Sequence, residues 1–499
     1  MIARAVVVLA FVASTFPLSG LQAGAATAAA DSGDTLRLSL EDCVMRAIDV
    51  GEEMRIADDD YATARALYLQ ARSTALPQIN VSTNYTRQIE SVFRQSTGPT
   101  VEPFEPDTLA PVEQRVRDLE KNLPTAWLAG LGKLFGSTAF GSKNTWVASI
   151  GLSQKLLEGG SIWNSIAAAK HAIHSARNSK LDKREDVVLK VREAYLAALL
   201  ADRGVRIASL GLEQAESQLQ RVRLRQEAGE ASEFELLQAE VQHDNQIPAV
   251  LQAKSMRELA YLELGRLANL PSMRPVALTT PLLDDVAIPP RPAEVDTTGL
   301  VALALKGSGI VALEEAVAAR DRAIPVAASS RWPALSLFAD YSEQAYPTDL
   351  FPKSDNWKKN VSAGLLLSWS LFDGMRTKGS IQESKAKRSQ TLQALQQTRE
   401  LVREAVIQSQ LDLQRAAADL HARSRTVELA KRALDLASLR YDEGASDLLE
   451  VSDARIAYQI AQTNEARARH DYFVALARLE RYSGRPLFTS AAPAGGGQR

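Results

Sequence analysis

The chain has 499 residues, with 58 Lys and Arg against 60 Asp and Glu, a formal net charge of −2 at pH 7 and a single cysteine. That balance lacks the basic footprint of a nucleic-acid binder, and one cysteine rules out an intrachain disulfide. Past the first segment no run of about 18 apolar residues occurs, so no transmembrane helix is expected.

Residues 1–30 read as a cleaved secretory signal. Arg4 is followed by the apolar run Val6 to Phe16, then Pro17, Gly20 and Ala-x-Ala sites at Ala23/Ala25 and Ala28/Ala30. No cysteine follows the apolar run, so lipid attachment there is not expected. Residues 38–270 form a first unit. It opens with a helix, Leu40 to Thr74, closed by Pro77; Cys43 inside it suits a small core residue. Then Ile79, Val81, Thr83 and Tyr85 alternate with Asn80, Ser82, Asn84 and Thr86 as a strand. A long loop, 87–144, carries Pro99, Pro103, Pro106, Pro111 and Pro124, a charged piece (Glu113 to Lys121) and an apolar piece (Trp127 to Phe140). A return strand follows, with Trp146, Ala148, Ile150 and Leu152 on one face. Gly159-Gly160 breaks it and opens a helical tract, Ile162 to Gln226. At ~1.5 Å per residue this is about 100 Å long, more than a globular domain can wrap. A turn at Ala228-Gly229 leads to a returning helix, Glu233 to Leu270.

After a Pro-rich linker, 271–295, the order repeats over 296–486: a helix from Leu300 to Ser329 with a kink expected at Pro325, a strand with Leu335, Leu337, Ala339 and Tyr341 on one face, and a return strand with Val361, Ala363, Leu365, Leu367 and Trp369. Gly374 follows, then a long helix Thr377 to Tyr441, a turn at Glu443-Gly444 and a helix Asp447 to Tyr482. Residues 487–499 read as a disordered tail. The interval from Pro77 to Pro333 equals that from Tyr85 to Tyr341, and one shorter interval relates Gly159 to Gly374, Gly229 to Gly444 and Glu235 to Glu450. The chain is therefore an internal duplication, with an insertion between Tyr85 and Leu156.

Each half is a β-hairpin feeding a long antiparallel helical hairpin. The strands have the length and alternation of membrane-barrel strands, with Tyr85, Trp146, Tyr341 and Trp369 near the ends of the apolar faces; a pair of soluble amphipathic hairpins has the same pattern. The fold class is mainly α with a small β part. Four strands cannot close a barrel, and open edges are not allowed in lipid. Two copies give an eight-stranded barrel filled by side chains; three give twelve strands and a lumen.

The duplicated order of elements resembles the TolC family of outer-membrane efflux proteins. The carrying motifs are Leu-Pro-Gln-Ile at Pro77, Trp-Pro-Ala-Leu at Pro333, the strand exits at Gly159 and Gly374, and the turns Arg225-Gln-Glu-Ala-Gly229 and Arg440-Tyr-Asp-Glu-Gly444. The resemblance implies a homotrimer in the outer membrane, with a twelve-stranded barrel in lipid and an α-helical tunnel in the periplasm. It also implies a periplasmic adaptor protein and an inner-membrane pump, proton- or ATP-driven, as partners in tripartite efflux or type I secretion. Tips around Gly229, Gly444, Arg225 and Arg440 are expected to meet the adaptor. Glu450 and Asp453 match the family's acidic rings at the closed periplasmic gate, and Tyr441 matches a locking tyrosine. Ser446 stands where the lock's arginine is usual, so the gate is expected to rest on contacts such as Arg440 with Asp442 or Asp447. A soluble periplasmic scaffold or adaptor built from the same hairpins is the alternative.

No catalytic constellation is apparent. There is no phosphate loop or nucleophile elbow, and no cysteine or carboxylate completes a zinc set with His171 and His174. Neither an enzyme nor a bound cofactor or metal is expected.

Overall fold

The computed structural model describes residues 36–90, 107–123, 143–270, 276–280, 296–347 and 349–484. The signal segment, the apolar piece Trp127 to Phe140 and the tail 487–499 lie outside these. The elements are β1 (Leu36–Leu38), α1 (Leu40–Val50), α2 (Glu52–Ser73), β2 (Gln78–Arg87), β3 (Asn144–Glu158), α3 (Ser161–Glu227), α4 (Glu233–Leu267), β4 (Val276–Leu278), α5 (Thr297–Ala304), α6 (Ser308–Ala328), β5 (Ala334–Ala345), β6 (Trp357–Ser368), α7 (Arg376–Asp442) and α8 (Leu448–Ser483). Within the long loop, residues 112–123 form a further short helix that covers its charged piece.

The first expected helix is two. Ser39 starts α1 with a capping box, accepting from the Asp42 N–H while Asp42 accepts from the Ser39 N–H. The chain turns extended at Gly51 (φ −63°, ψ 138°) before α2 begins. A Cβ at Gly51 would sit 2.1 Å from the Ala47 carbonyl oxygen, so only glycine permits the turn. Its counterpart breaks in the same way: α5 and α6 are separated at Gly307 (φ −62°, ψ 156°), while α6 runs on through Pro325.

The strands form one sheet in the order β2-β3-β5-β6, antiparallel throughout, with β3 joining the two halves to each other. The last strand starts four residues before Val361 and stops before Trp369. α3 and α7 are each 67 residues long. They enter through left-handed residues at Gly160 (φ 79°) and Met375 (φ 71°). Each pairs with its returning helix, and α8 lies against α3, so the two hairpins run side by side. Ion pairs lace that seam: Arg192–Glu480 at 3.0 Å, Arg478–Glu193 at 2.7 Å, and Arg481 with Asp182 at 2.7 Å and Asp186 at 2.9 Å.

The main core is a belt around the middle of the bundle, drawn from α1, α3, α4, α5, α7 and α8. Tyr195, fully buried, donates its hydroxyl to the Leu38 carbonyl at 3.2 Å and accepts the Thr280 N–H at 3.0 Å. It ties down β4, which pairs parallel with β1. The Pro-rich linker therefore contributes a strand that fastens the junction of the halves to the start of the chain.

Candidate membrane sheet and tunnel tip

The sheet has two chemically distinct faces. Rows across it read Ile79–Leu152–Ala339–Ala363 and Val81–Ile150–Tyr341–Val361 on one face. Val361 is 72 % and Leu365 63 % exposed, a condition that water penalises and hydrocarbon does not. Exposed Trp332 and Trp369 mark the end of this band nearest the helices, with the Trp369 indole donating to the Arg331 carbonyl at 3.0 Å. At the far end Glu343 faces Lys359 and accepts the Tyr341 hydroxyl at 2.6 Å, placing charge only where an apolar band meets headgroups. The opposite face reads Asn80–Gly151–Asp340–Ser362 and Ser82–Ser149–Ser342–Asn360, with the Ser82 and Ser149 hydroxyls 2.8 Å apart.

The far end of the sheet is closed over by the β5–β6 loop. Asn144, 4 % exposed, accepts the Tyr85 hydroxyl at 3.0 Å and donates to the Asp349 carbonyl at 2.8 Å. The Trp146 indole donates to the Leu350 carbonyl at 2.9 Å, and its ring stacks on Phe351. Sequence reasoning missed Asn144 because it marks no periodicity; its loop partner Asp349 is 205 residues away.

At the other extreme the two turns are built alike. Glu230 N–H bonds to the Arg225 carbonyl at 2.8 Å and Gly229 N–H to Gln226 at 3.0 Å; Ala445 and Gly444 do the same to Arg440 and Tyr441 at 2.7 and 3.0 Å. These are Schellman caps, and both glycines are left-handed, Gly229 at φ 78° and Gly444 at φ 72°. Ser232 and Asp447 then cap the returning helices by accepting from the N–H groups of Glu235 and Glu450. A small apolar cluster of Val222, Ala239, Ala437, Tyr441, Leu448 and Val451 locks the two hairpins together here.

The equivalent arginines act differently. Arg225 places its guanidinium over the Tyr441 ring, 5.2 Å from its centre, joining the first hairpin to the second. Burial pushes the Tyr441 hydroxyl pKa up, against the charge of Arg225. Arg440 stays within its own hairpin and bonds Glu450 at 2.7 Å. This corrects the expected latch: Arg440 takes Glu450, because the carboxylate on the returning helix faces it across the turn, and neither Asp442 nor Asp447 is its partner. Glu450 and Asp453 share a helix face, but only Glu450 is engaged; Asp453 is exposed with no ion pair among the described residues. The Ser446 hydroxyl is buried without a hydrogen-bond partner. Elsewhere a carboxylate does reach His171, Glu315 at 2.7 Å, supplied by α6 from far along the chain.

An antiparallel sheet with one lipid-compatible face, continued by two paired helical hairpins about 100 Å long, defines the class of outer-membrane export channels. The chain belongs to the outer membrane efflux protein family, whose model matches residues 52–270 and 308–485. It is similar to the outer membrane efflux protein BepC of Brucella suis, 23 % identical over 69 % of this chain and 73 % of that one. Its fold is that of the CmeC outer membrane channel of Campylobacter jejuni, with TM-score 0.69 at 16 % identity over 89 % of this chain and 85 % of that one. VceC of Vibrio cholerae superposes with TM-score 0.67 at 16 % identity over 89 % and 96 %. The protein is an outer-membrane efflux channel with its helical part in the periplasm, and the soluble-scaffold alternative is not retained.

Proposed function

We propose that three copies of the chain close one barrel and one tunnel, and that this assembly passes cargo delivered by an inner-membrane pump through a periplasmic adaptor. One observation carries the reading. Among the described residues the sheet ends in two unpaired edges, β2 and β6, while one of its faces is a continuous exposed apolar band. Unpaired backbone cannot stay in hydrocarbon, where each unmet group costs several kcal/mol, so edge must meet edge between copies. A threefold assembly leaves a lumen lined by the Asn, Ser and Gly rows; a twofold one does not.

The capped turns at Gly229 and Gly444, with Arg225 and Arg440 one turn before them, form the tip offered to the adaptor. Glu450, Asp453 and Tyr441 sit at that tip and form the gate. A polar lumen carries little selectivity of its own, so cargo choice lies with the pump. The chain supplies no catalytic step, and the work of transport comes from its partners.

The test is reconstitution of the purified full chain in planar bilayers. Stepwise cation-selective conductance from a species of threefold mass supports the reading. A monodisperse monomer that stays soluble without detergent and never conducts overturns it.

A further inference from the structure

Close to the tip, where α8 lies against α3, hydrogen-bond donors outnumber their acceptors. Arg221 on α3 donates to the Ser217 hydroxyl at 2.9 Å and to the Gln218 side-chain oxygen at 2.5 Å. Gln218 is 3 % exposed. With its oxygen held by the guanidinium, its amide nitrogen is left buried with no hydrogen-bond partner. Native interiors meet such donors with water or an ion.

Across the seam stands Arg455 on α8, half-buried, with no hydrogen bond or ion pair among the described residues. Burial, and then the charge of Arg221, pull its pKa below the usual guanidinium value, so the two cations lie within electrostatic reach. The neighbouring charges are committed elsewhere. Arg223 pairs with Glu240 at 3.2 Å, Arg225 stacks on Tyr441 and lies 4.0 Å from Glu230, and Glu450 is held by Arg440. Glu235 lies by Tyr441, and Asp453 is turned to solvent. Apolar Val222 and Val451, both buried in the tip cluster, limit hydration of the seam.

We propose that Arg221, Arg455 and the free amide of Gln218 form a binding site for one compact oxyanion, a carboxylate or an inorganic oxyanion, at the seam between the two hairpins. Two guanidinium groups and one amide supply N–H donors alone, the complement of an anionic oxygen group. An occupied site links α3 to α8 beside the gate residues; an empty one leaves two like charges pressing the hairpins apart.

The experiment is thermal unfolding of the detergent-solubilised full chain, with inorganic phosphate titrated at constant ionic strength. It is run on wild type, Arg455→Gln, Arg455→Glu and Gln218→Met. If the site takes a free oxyanion, phosphate raises the unfolding temperature of wild type. Arg455→Gln abolishes the rise and Gln218→Met weakens it. Arg455→Glu makes the protein phosphate-independent, because the new carboxylate fills the site from within. If the occupant is instead a carboxylate of a second copy, wild type ignores phosphate, Arg455→Gln lowers the temperature at which the oligomer separates, and Arg455→Glu restores it. The proposal fails if Arg455→Gln keeps the wild-type phosphate response. It also fails if wild type ignores phosphate while the Arg455 substitutions leave both temperatures unchanged or raise them. None of these readings needs conductance, so a protein that binds phosphate and never conducts would sink the channel reading and leave this one standing.

Discussion

Glu450 and Asp453 stand one helical turn apart, and their surroundings set them different tasks. Glu450 is neutralised in part by Arg440, a pair that is about half exposed on both sides and so worth only about 0.2–1 kcal/mol. Asp453 faces solvent, and in the proposed gate it is the carboxylate open to a passing ion. In a threefold ring the block of conductance by a trivalent cation added from the periplasmic side should weaken by about tenfold in Asp453→Asn. Glu450→Gln should change it less, since it also releases the Arg440 charge. An equal effect of both substitutions in dose–block curves would show that Arg440 does not screen Glu450. Cys43 illustrates burial without function. It is fully buried, and desolvation pushes its thiol up to about 11 from the ordinary 9.0. A folded value above the unfolded one means that this contribution to stability is complete below pH 9.0 and is lost as pH rises to about 11. A maleimide reagent at pH 8 should therefore leave the native chain unlabelled and label it fully after unfolding, as read by mass spectrometry.

The sheet is the element whose two faces can be tested against each other. Leu365 and Ser362 lie on the same strand, β6, three residues apart and hence on opposite faces. Arginine at Leu365 places charge on the apolar face near the middle of the band, where it costs about 2–4 kcal/mol of insertion. Arginine at Ser362 points into the polar row beside Asp340 and should be tolerated. Heat-modifiable mobility of outer-membrane fractions reads the difference: Leu365→Arg should be lost from the membrane and Ser362→Arg retained. Loss of both together would point to a strand that tolerates no charge on either face. The helical elements follow a different logic. α3 and α7 are held by narrow stripes of small and apolar residues, and the ion pairs of the α3–α8 seam add alignment more than strength.

At the scale of the whole molecule the unmet edges decide the assembly. In the proposed assembly β2 and β6 pair between copies, so cysteines placed on the two edges, such as Asn84→Cys with a series along residues 357–364, should cross-link on oxidation. The ladder should run monomer, dimer, trimer and then stop, because a closed ring has no fourth position. A ladder extending past three, or ending at two, would exclude the threefold barrel. The belt core lies midway along the hairpins, with the sheet at one extreme and the tip at the other.

Composition and periodicity alone determined the kinds of element, their order and the duplication. Alternation, proline stops, glycine turns and unbroken helical tracts are local signals, read within a few residues. The resemblance that rests on that order placed the family. The breaks at Gly51 and Gly307 are also local, glycines inside helical patterns, but the pattern continues on both sides and masks them. Only the tertiary structure decided which strand joins the halves, that β4 rises from the linker to meet β1, that Arg225 crosses to Tyr441 while Arg440 keeps Glu450, and that Gln218 and Arg455 share a seam. Each of these depends on groups distant in sequence or separated by a turn. Nothing along the chain records which faces two long helices present to each other; packing, charge and unmet hydrogen bonds settle that in three dimensions.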